Sequence, residues 1–259
     1  MSVGTAFSSP LLDAGQIRKY GYRHRMGMVP SAEWVVFHDD FLSAVHSGTA
    51  VTNGFAQYQP ETNWKGIILD SGTTIAVNTT AALGAMGVLT ISDATASEGA
   101  SVYGEKCYQL TSGKRMFIEC RLRTDDVSDN AIQFGLSDLT ATTNPEDLWT
   151  TTAANLVSFG LLDGSAYPQM LSDKSNGGTS VQTQTNKLMA VDTWHTRAIY
   201  YDGSFLHGYV DGDKALTWSG ASTTIPTATA MALFFGALNG NGAGGNLEIF
   251  DYIRLVSER

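Results

Sequence analysis

The sequence is poor in the residues that build disulfide frameworks, helical bundles and membrane spans. Two cysteines in 259 residues cannot supply a network of disulfides. Charged residues make up 16% of the chain, against roughly 25% in an average protein, and the 27 glycines disfavour long helices. No apolar run approaches the ~20 residues of a membrane-spanning helix. What remains is a chain of short strands and turns.

The net charge and the amino terminus limit the partners and the compartment. A net charge of −9 makes most of the surface repel a phosphate backbone, so we expect no nucleic acid and no membrane as a partner. The opening MSVGTAFSSPLLDAGQ lacks the basic start and apolar core of a secretory signal peptide, which predicts a protein made and kept in a cytosol. In that reducing compartment we expect Cys107 and Cys120 to be two buried thiols rather than a disulfide.

The first 33 residues form a segment of distinct composition. They are net basic although the whole chain is net acidic, and they show neither helical nor strand periodicity. We therefore predict an extended N-terminal arm over residues 1–33 and one folded domain over residues 34–259. A floppy terminus, or an arm packed against its own domain, is the alternative. The candidate partner-binding residues of the arm are Arg18, Lys19, Tyr20, Tyr22, Arg23 and Arg25.

From Trp34 onward the chain consists of short alternating runs separated by turn residues, the pattern of an antiparallel sandwich. Two Asp-Gly turns, spaced for three consecutive antiparallel strands, occur in the segment WHTRAIYYDGSFLHGYVDGDKALTW. NAIQFGLSD and NLVSFGLLDG are two similar apolar strands, each with a Gly-Leu step. We also predict that EKCYQL forms a hairpin with KRMFIECRL across the turn TSGK, which would bring Cys107 close to Cys120.

The order of these features resembles a known fold family. The segments that carry the resemblance are FHDDFLSA, KRMFIECRLRT, FGLSD, WHTRAIYYDGSFLHGYVDG and GNLEIFDYIRLV. Together they resemble the concanavalin A-like, laminin-G-like jelly roll, and more narrowly the versions of that domain in tailed-phage virion proteins. The resemblance implies an all-β fold: an antiparallel two-sheet jelly-roll sandwich (concanavalin A-like) with an extended N-terminal arm, in which the first and last strands lie side by side.

The sequence lacks the carboxylate run of the glucanases that share this fold. Their signature is Glu-x-Asp-x-Glu or Glu-x-Asp-x-x-Glu on one strand, which puts the nucleophile and the acid on one face. Glu119 has no acidic residue two positions on, and Glu248 and Asp251 are three apart, which puts them on opposite faces of a strand. We therefore expect solvent-face carboxylates and a turn or sheet-edge aspartate, all with a structural role, and we expect no enzyme.

The histidines and cysteines show no metal-binding spacing. The five histidines are scattered along the chain at His24, His38, His46, His195 and His207. We expect no cofactor, with calcium at a sheet rim, as in some members of this fold, as the alternative. The candidate calcium ligands are Asp39, Asp40, Asp211, Asp213 and Asp251.

Aromatic residues supply candidates for a sugar-binding surface, because lectins of this fold bind sugars on a concave sheet with exposed rings. The chain holds five tryptophans, and we expect three of them in the core. Trp149 lies in the polar segment TNPEDLWTTTAANL and is the candidate for a glycan or partner contact.

The resemblance implies a structural role in a bacteriophage virion. The most direct expectation is a head decoration (cement) protein that binds and stabilises the assembled capsid in the host cytoplasm. Its partners would be the major capsid protein or other virion proteins, and it would form a homo-oligomer, a dimer or a trimer. The alternative is a glycan-binding module of a phage tail or head fibre. A glycoside hydrolase of the same fold is the weaker alternative, because the carboxylate run is absent.

Overall fold

The computed structural model describes residues 34–39, 54–58, 64–68, 73–78, 88–92, 99–138, 155–162, 164–174, 180–184, 186–218, 224–240 and 247–259. Within these ranges the chain forms sixteen strands and no helix. The strands are β1 (Trp34–Asp39), β2 (Gly54–Tyr58), β3 (Trp64–Ile68), β4 (Thr74–Asn78), β5 (Val88–Ser92), β6 (Gly99–Tyr108), β7 (Met116–Thr124), β8 (Asn130–Ser137), β9 (Asn155–Leu162), β10 (Ser165–Lys174), β11 (Ser180–Gln184), β12 (His195–Tyr201), β13 (Leu206–Val210), β14 (Asp213–Trp218), β15 (Met231–Asn239) and β16 (Leu247–Glu258).

The strands form two antiparallel sheets. Sheet A has the order β14-β13-β12-β7-β16-β5-β4, with β1 also paired to β16, and sheet B has the order β11-β10-β9-β8-β15-β6-β3-β2. Alternate residues of each sheet face the other sheet and form one shared apolar core. In β7, for example, Ile118, Cys120 and Leu122 point into this core, as the alternation of the sequence predicts. The expected all-β, two-sheet jelly-roll sandwich is confirmed.

The two ends of the folded domain meet in sheet A. β1 runs antiparallel to β16, from the pair Trp34 and Glu258 to the pair Asp39 and Ile253. β16 is the longest of the described strands, and β7 lies along its other side. The expected pairing of the first and last strands is therefore confirmed, and it joins the beginning of the sandwich to its end.

The two Asp-Gly turns connect β12, β13 and β14 as predicted. In the first turn Asp202 accepts hydrogen bonds from the backbone of Ser204 and Phe205, and its other oxygen lies 2.9 Å from His207 Nε2. In the second turn Asp211 lies 2.8 Å from His195 Nδ1, and its other oxygen accepts a hydrogen bond from the backbone N–H of Thr196 on β12. Burial alone would raise the pKa of each carboxyl, but the histidine and backbone hydrogen bonds outweigh it and hold both pKa values below the usual range.

The predicted hairpin between EKCYQL and KRMFIECRL is wrong. β6 belongs to sheet B and β7 to sheet A, so the turn at Gly113 carries the chain from one sheet to the other. The turn residues are those of a hairpin, but the next strand finds its partners in β12 and β16. Cys120 is buried, whereas Cys107 is exposed at a pocket of about 130 Å³ beside Trp64, so the expectation of two buried thiols fails for Cys107.

The two similar strands β8 and β9 are direct neighbours. Phe134 pairs with Phe159 across them, and both rings point into the core in an edge-to-face contact with centroids 6.4 Å apart. A glycine follows each phenylalanine, and a Cβ on Gly160 would collide with the backbone carbonyl oxygen of Ile132 on β8. Because glycine has no side chain, the repeated Phe-Gly-Leu lets β8 and β9 approach each other more closely than two strands with side chains at these positions could.

The core contains one buried cationic side chain whose position in the fold is unusual. Arg197 lies on the inner face of β12, is 0% exposed, and its guanidinium nitrogens have no hydrogen-bond partner. Its neighbour across the strand pair is Cys120. Burial lowers the pKa of Arg197 to about 10, which leaves the guanidinium charged at neutral pH.

We predict that Gly160→Ala destabilises the fold by about 3 kcal/mol or more, because its Cβ meets backbone that cannot turn away. Urea unfolding measures the change. Gly104→Ala is the matched control, since its Cβ would lie at an ordinary 3.6 Å from the Leu233 carbonyl oxygen. Equal stability of the two variants would contradict the close approach of β8 and β9.

We predict that Arg197→Met stabilises the protein by about 1–4 kcal/mol, because it replaces an unpaired buried charge by an apolar side chain of similar length. Thermal and urea unfolding measure the change. Arg123→Met removes a cation from the partly exposed pair with Asp192 and is expected to change stability by less than about 1 kcal/mol. A loss of stability in Arg197→Met would contradict the unpaired guanidinium.

Candidate functional site

The first carboxylate singled out from the sequence, Glu119, lies on the outer face of sheet A. It is 5% exposed, accepts a hydrogen bond of 2.8 Å from the Tyr252 hydroxyl, and lies 3.6 Å from Arg254 Nη2. The expectation of a solvent-face carboxylate is therefore wrong, because two side chains of the neighbouring strand β16 cover Glu119. Its contacts give it the structural role that the sequence predicts.

The other two carboxylates, Glu248 and Asp251, lie on opposite faces of β16, as their spacing predicts. Glu248 is 0% exposed and is hydrogen-bonded to the Asn130 amide inside the sandwich, so the expectation of solvent exposure is wrong for it. Asp251 lies at a bulge in β16 and accepts a hydrogen bond of 2.5 Å from Arg121. Because the sheet separates the two carboxylates, they cannot flank one substrate bond.

The described candidates for calcium ligation each contact another side chain. Asp39 accepts a hydrogen bond from the Trp64 indole, Asp213 pairs with Lys187, and Asp211 and Asp251 have the partners given above. Among the residues that the structure describes, no three acidic, histidine or cysteine side chains come together to hold a metal ion. Asp40, His24 and His46 lie outside the described residues.

The outer face of sheet B carries polar side chains among apolar ones, and some of their atoms have no hydrogen-bond partner. The core residues Ile132, Phe134, Val157 and Phe159 fix the inner face, so the residues between them point outward. Three cross-strand rows run over β6, β15, β8, β9 and β10 in that order. They consist of Ser101, Gly236, Gln133, Gly160 and Gln169; of Tyr103, Phe234, Gly135, Ser158 and Leu171; and of Lys106, Ala232, Ser137, Leu156 and Asp173.

Glycines occupy the middle of this outer face. Gly236, Gly135 and Gly160 lie on three adjacent strands, and none of them has a side chain to cover the backbone. A Cβ on Gly236 would lie 2.7 Å from the Ser101 hydroxyl oxygen, so glycine there avoids a contact that is too close. We call these three residues the glycine strip.

Several polar atoms around the glycine strip are buried and have no hydrogen-bond partner. They are the Ser101 hydroxyl, the Gln133 side-chain nitrogen and both carboxylate oxygens of Asp173. The oxygen of the Gln133 amide accepts a hydrogen bond of 2.7 Å from Ser158, which fixes the amide so that its nitrogen is the end left over. Buried polar groups without partners are rare in folded proteins and indicate a missing partner such as a ligand or water.

Apolar side chains border the same face. Tyr103 and Phe234 form a stacked pair of rings with centroids 6.0 Å apart. Leu156 and Leu171 lie on the β9–β10 side and belong to the same outer cluster. The face thus combines an aromatic pair with a few fixed polar groups, which is the usual make-up of a small-molecule or sugar site.

The sequence-predicted contact residues lie elsewhere. The arm residues Arg18, Lys19, Tyr20, Tyr22, Arg23 and Arg25, and the loop residue Trp149, are outside the described residues. Of the three tryptophans expected in the core, the described residues show two, Trp64 and Trp218, whereas Trp194 is half-buried with the Arg121 guanidinium 4.6 Å above its ring. None of the described residues forms a helix long and apolar enough to cross a membrane.

Sequence reasoning missed the polar residues of sheet B. Gln133 and Ser158 are outward-facing positions in strands that are otherwise apolar, and each lies two positions from a glycine of the strip in sequence. A polar residue at such a position is a usable signal, but the pairing that brings Gln133 next to Ser158 and Gly160 depends on the register of β8 and β9.

Comparison with known proteins gives a fold and no closer relative. No family model and no curated protein matches the chain. The carbohydrate recognition domain of Emp47p superposes with a TM-score of 0.57 at 12% identity, covering 88% of this chain and 98% of that one. Crh5 transglycosylase in complex with NAG gives 0.53 at 15% identity, with 85% and 83% covered. Peanut lectin with a 9mer peptide gives 0.52 at 11% identity, with 87% and 98% covered.

These similarities span most of each chain. The likeness lies in the two packed antiparallel sheets, since the identities of 11–15% carry no residue-level argument. The chain has the concanavalin A-like jelly-roll fold of the lectins.

Proposed function

We propose that this protein is a glycan-binding module that does not cleave its ligand, carried on a phage tail or head fibre. The observation that supports the proposal most directly is the outer face of sheet B. There the Ser101 hydroxyl and the Gln133 amide nitrogen are buried without partners beside the glycine strip, and the Asp173 carboxylate is buried without a partner farther along the same face. A ligand with both donors and acceptors would satisfy all of them.

Sugars have the matching chemistry. Each sugar hydroxyl both donates and accepts, so it can meet the Gln133 nitrogen as acceptor and the Asp173 carboxylate as donor. The C–H face of a sugar ring is apolar and suits contact with an aromatic side chain such as Phe234. The carbohydrate recognition domain and the lectin among the similar structures support the same proposal.

The composition of the central strands supports binding without cleavage. Glycoside hydrolysis needs two carboxyl groups on either side of the scissile bond. β8, β9 and β15 contain no aspartate or glutamate, so the middle of the described outer face of sheet B offers no such pair. Asp173 on β10 would serve to hold a ligand.

We predict that Ser101→Ala weakens glycan binding about tenfold and leaves the melting temperature unchanged or higher. The hydroxyl has no protein partner, so its removal costs the fold no hydrogen bond, whereas a bound sugar loses one. Calorimetry with oligosaccharides selected from a glycan array measures the affinity.

Ser204→Ala is the control for this experiment, because it removes an exposed serine hydroxyl at the β12–β13 turn of the other sheet. It should bind glycans like the unaltered protein. Absence of binding to every glycan on the array would overturn the proposed function, and equal affinity of the two variants would place the glycan away from Ser101.

The second candidate function is head decoration, which the arm sequence favours. An acidic domain has little electrostatic reason to approach an acidic shell, but a basic and aromatic arm can pair with carboxylates of the major capsid protein across a subunit boundary. A ligand that binds assembled subunits and not free ones stabilises the shell by RT ln(1 + [L]/Kd) per site. Such a protein would act as a homo-oligomer that matches the capsid symmetry.

Deletion of residues 2–30 is expected to abolish attachment to phage heads that lack the protein while the sandwich stays folded. β1 begins at Trp34, so the deletion spares every described strand. Co-sedimentation with the heads measures attachment, and circular dichroism measures folding. Unimpaired attachment of the truncated protein would contradict an arm-led contact.

A further inference from the structure

A pocket of about 130 Å³ lies between β1 of sheet A and strands β3, β6 and β15 of sheet B. Trp64 and Leu233 form part of its wall and belong to the apolar core. Glu105 and Cys107 also line it and are exposed to solvent. The pocket therefore connects the surface with the edge of the core, and a small ligand can enter it.

The pocket lies where the pairing of β6 becomes irregular. The pairs of β3 with β6 end at Lys65 and Tyr103, and β6 continues to Tyr108. Two register shifts against β15 fall in this last part of β6. Such bulges redirect side chains, and here Glu105, Cys107 and Tyr108 all line the one pocket.

Three aromatic rings line the pocket, one from each of β1, β3 and β6: Phe37, Trp64 and Tyr108. The Phe37 ring is inclined by 72° to the Trp64 ring and by 66° to the Tyr108 ring, with centroids 5.7 Å and 6.4 Å apart. The three rings therefore meet the pocket at different angles. Gly104 adds no side chain to the wall, and a Cβ there would lie 3.7 Å from Cζ3 of Trp64.

Glu105 gives the pocket a negative charge, because an exposed glutamate is ionised at neutral pH. Burial raises the pKa of the Cys107 thiol and that of the Tyr108 hydroxyl, so both groups stay neutral. None of the described residues that line the pocket is basic. The wall thus combines aromatic rings with one carboxylate.

This combination matches the chemistry of a quaternary ammonium group. Its positive charge is attracted to aromatic rings within roughly 6 Å and to a nearby carboxylate. It has no N–H, so it needs no hydrogen-bond acceptors, whereas a primary ammonium or a guanidinium has several donors to satisfy. The size also fits, since an apolar cavity of roughly 150 Å³ holds benzene and a trimethylammonium group has fewer heavy atoms.

We infer that this pocket binds a quaternary ammonium group, such as the trimethylammonium of choline. It is a second site, separate from the proposed glycan-binding face of sheet B. Phe37, Trp64 and Tyr108 contact the methyl groups, and the carboxylate of Glu105 lies beside the charge. A neutral group of the same shape makes the same contacts with the rings without the electrostatic attraction.

The experiment compares choline with its neutral analogue, the alcohol that has a tert-butyl group in place of trimethylammonium. The methyl protons of each compound give one NMR signal, and its broadening on addition of the full chain measures binding. The unaltered protein is expected to bind choline about tenfold more tightly than the alcohol, because the charge interacts with both the rings and the carboxylate.

Two variants test the charge and the rings. Glu105→Gln keeps the shape of the side chain and is expected to weaken choline binding while the alcohol binds as before. Phe37→Leu removes one ring but keeps the wall apolar, so it should weaken choline binding more than alcohol binding. Asp213→Asn is the matched control, since it removes an equal charge on β14, at the far edge of sheet A, and should bind choline like the unaltered protein.

Gly104→Ala tests the position of the ligand. Its Cβ would lie at ordinary contact distances from Trp64 and from the Leu233 carbonyl oxygen, so the melting temperature should be unchanged. The same Cβ occupies space beside the Trp64 ring, so the binding of both compounds should weaken. Thermal unfolding of each variant separates lost binding from lost folding.

Equal affinity of the unaltered protein for choline and the alcohol, or no binding of choline, overturns the inference. A choline affinity that Glu105→Gln, Phe37→Leu and Gly104→Ala all leave unchanged also overturns it, because the cation would then bind elsewhere. Phosphocholine and trimethyllysine carry the same group on different molecules, and the one that binds more tightly identifies the source of the ligand. No glycan is involved, so these results leave the proposed function to its own test.

Discussion

The close pairing of β8 with β9 is the constraint on which the proposed binding face depends. Phe134 and Phe159 meet in the core, and the glycines beside them allow the two backbones to approach until no Cβ would fit at Gly160. The same pairing has two consequences on opposite sides of one sheet. It fills the interior with rings, and on the outer face it places glycines next to Gln133 and Ser158, which are both buried.

The two outer faces of the sandwich show different solutions for polar side chains. On sheet A, Glu119 accepts a hydrogen bond from Tyr252 and lies 3.6 Å from Arg254, and Arg121 contacts both Asp251 and Trp194. On sheet B, Ser101 and Asp173 have no such partners. Polar groups that form hydrogen bonds within the protein stabilise it. Buried polar groups without a hydrogen-bond partner lower its stability, and they are retained where a ligand supplies the partner. Because of this difference we propose that the glycan binds at sheet B.

Strand positions and fold class follow from the sequence, because they depend on alternation and turn chemistry that are local. The meander of β12, β13 and β14 is an example, since each Asp-Gly turn pairs the two strands that it connects.

The choice of partner strand beyond adjacent strands does not depend on local sequence. TSGK has the residues of a hairpin turn, yet it connects two sheets, and Cys107 is exposed as a result. Glu248 faces inward for a similar reason, because the inner face of β16 and its contact with Asn130 depend on packing between the sheets. The candidate site could not be predicted because Ser101 and Gln133 are far apart in sequence and lie in one cross-strand row only through the register of β6, β15 and β8.

A crystal structure of the complex with the tightest-binding oligosaccharide tests the central claim most directly. The account predicts a sugar over the glycine strip, with hydroxyl oxygens within hydrogen-bond distance of the Gln133 side-chain nitrogen and the Ser101 hydroxyl. A sugar bound on sheet A, with the Gln133 and Ser101 atoms unchanged, would contradict it.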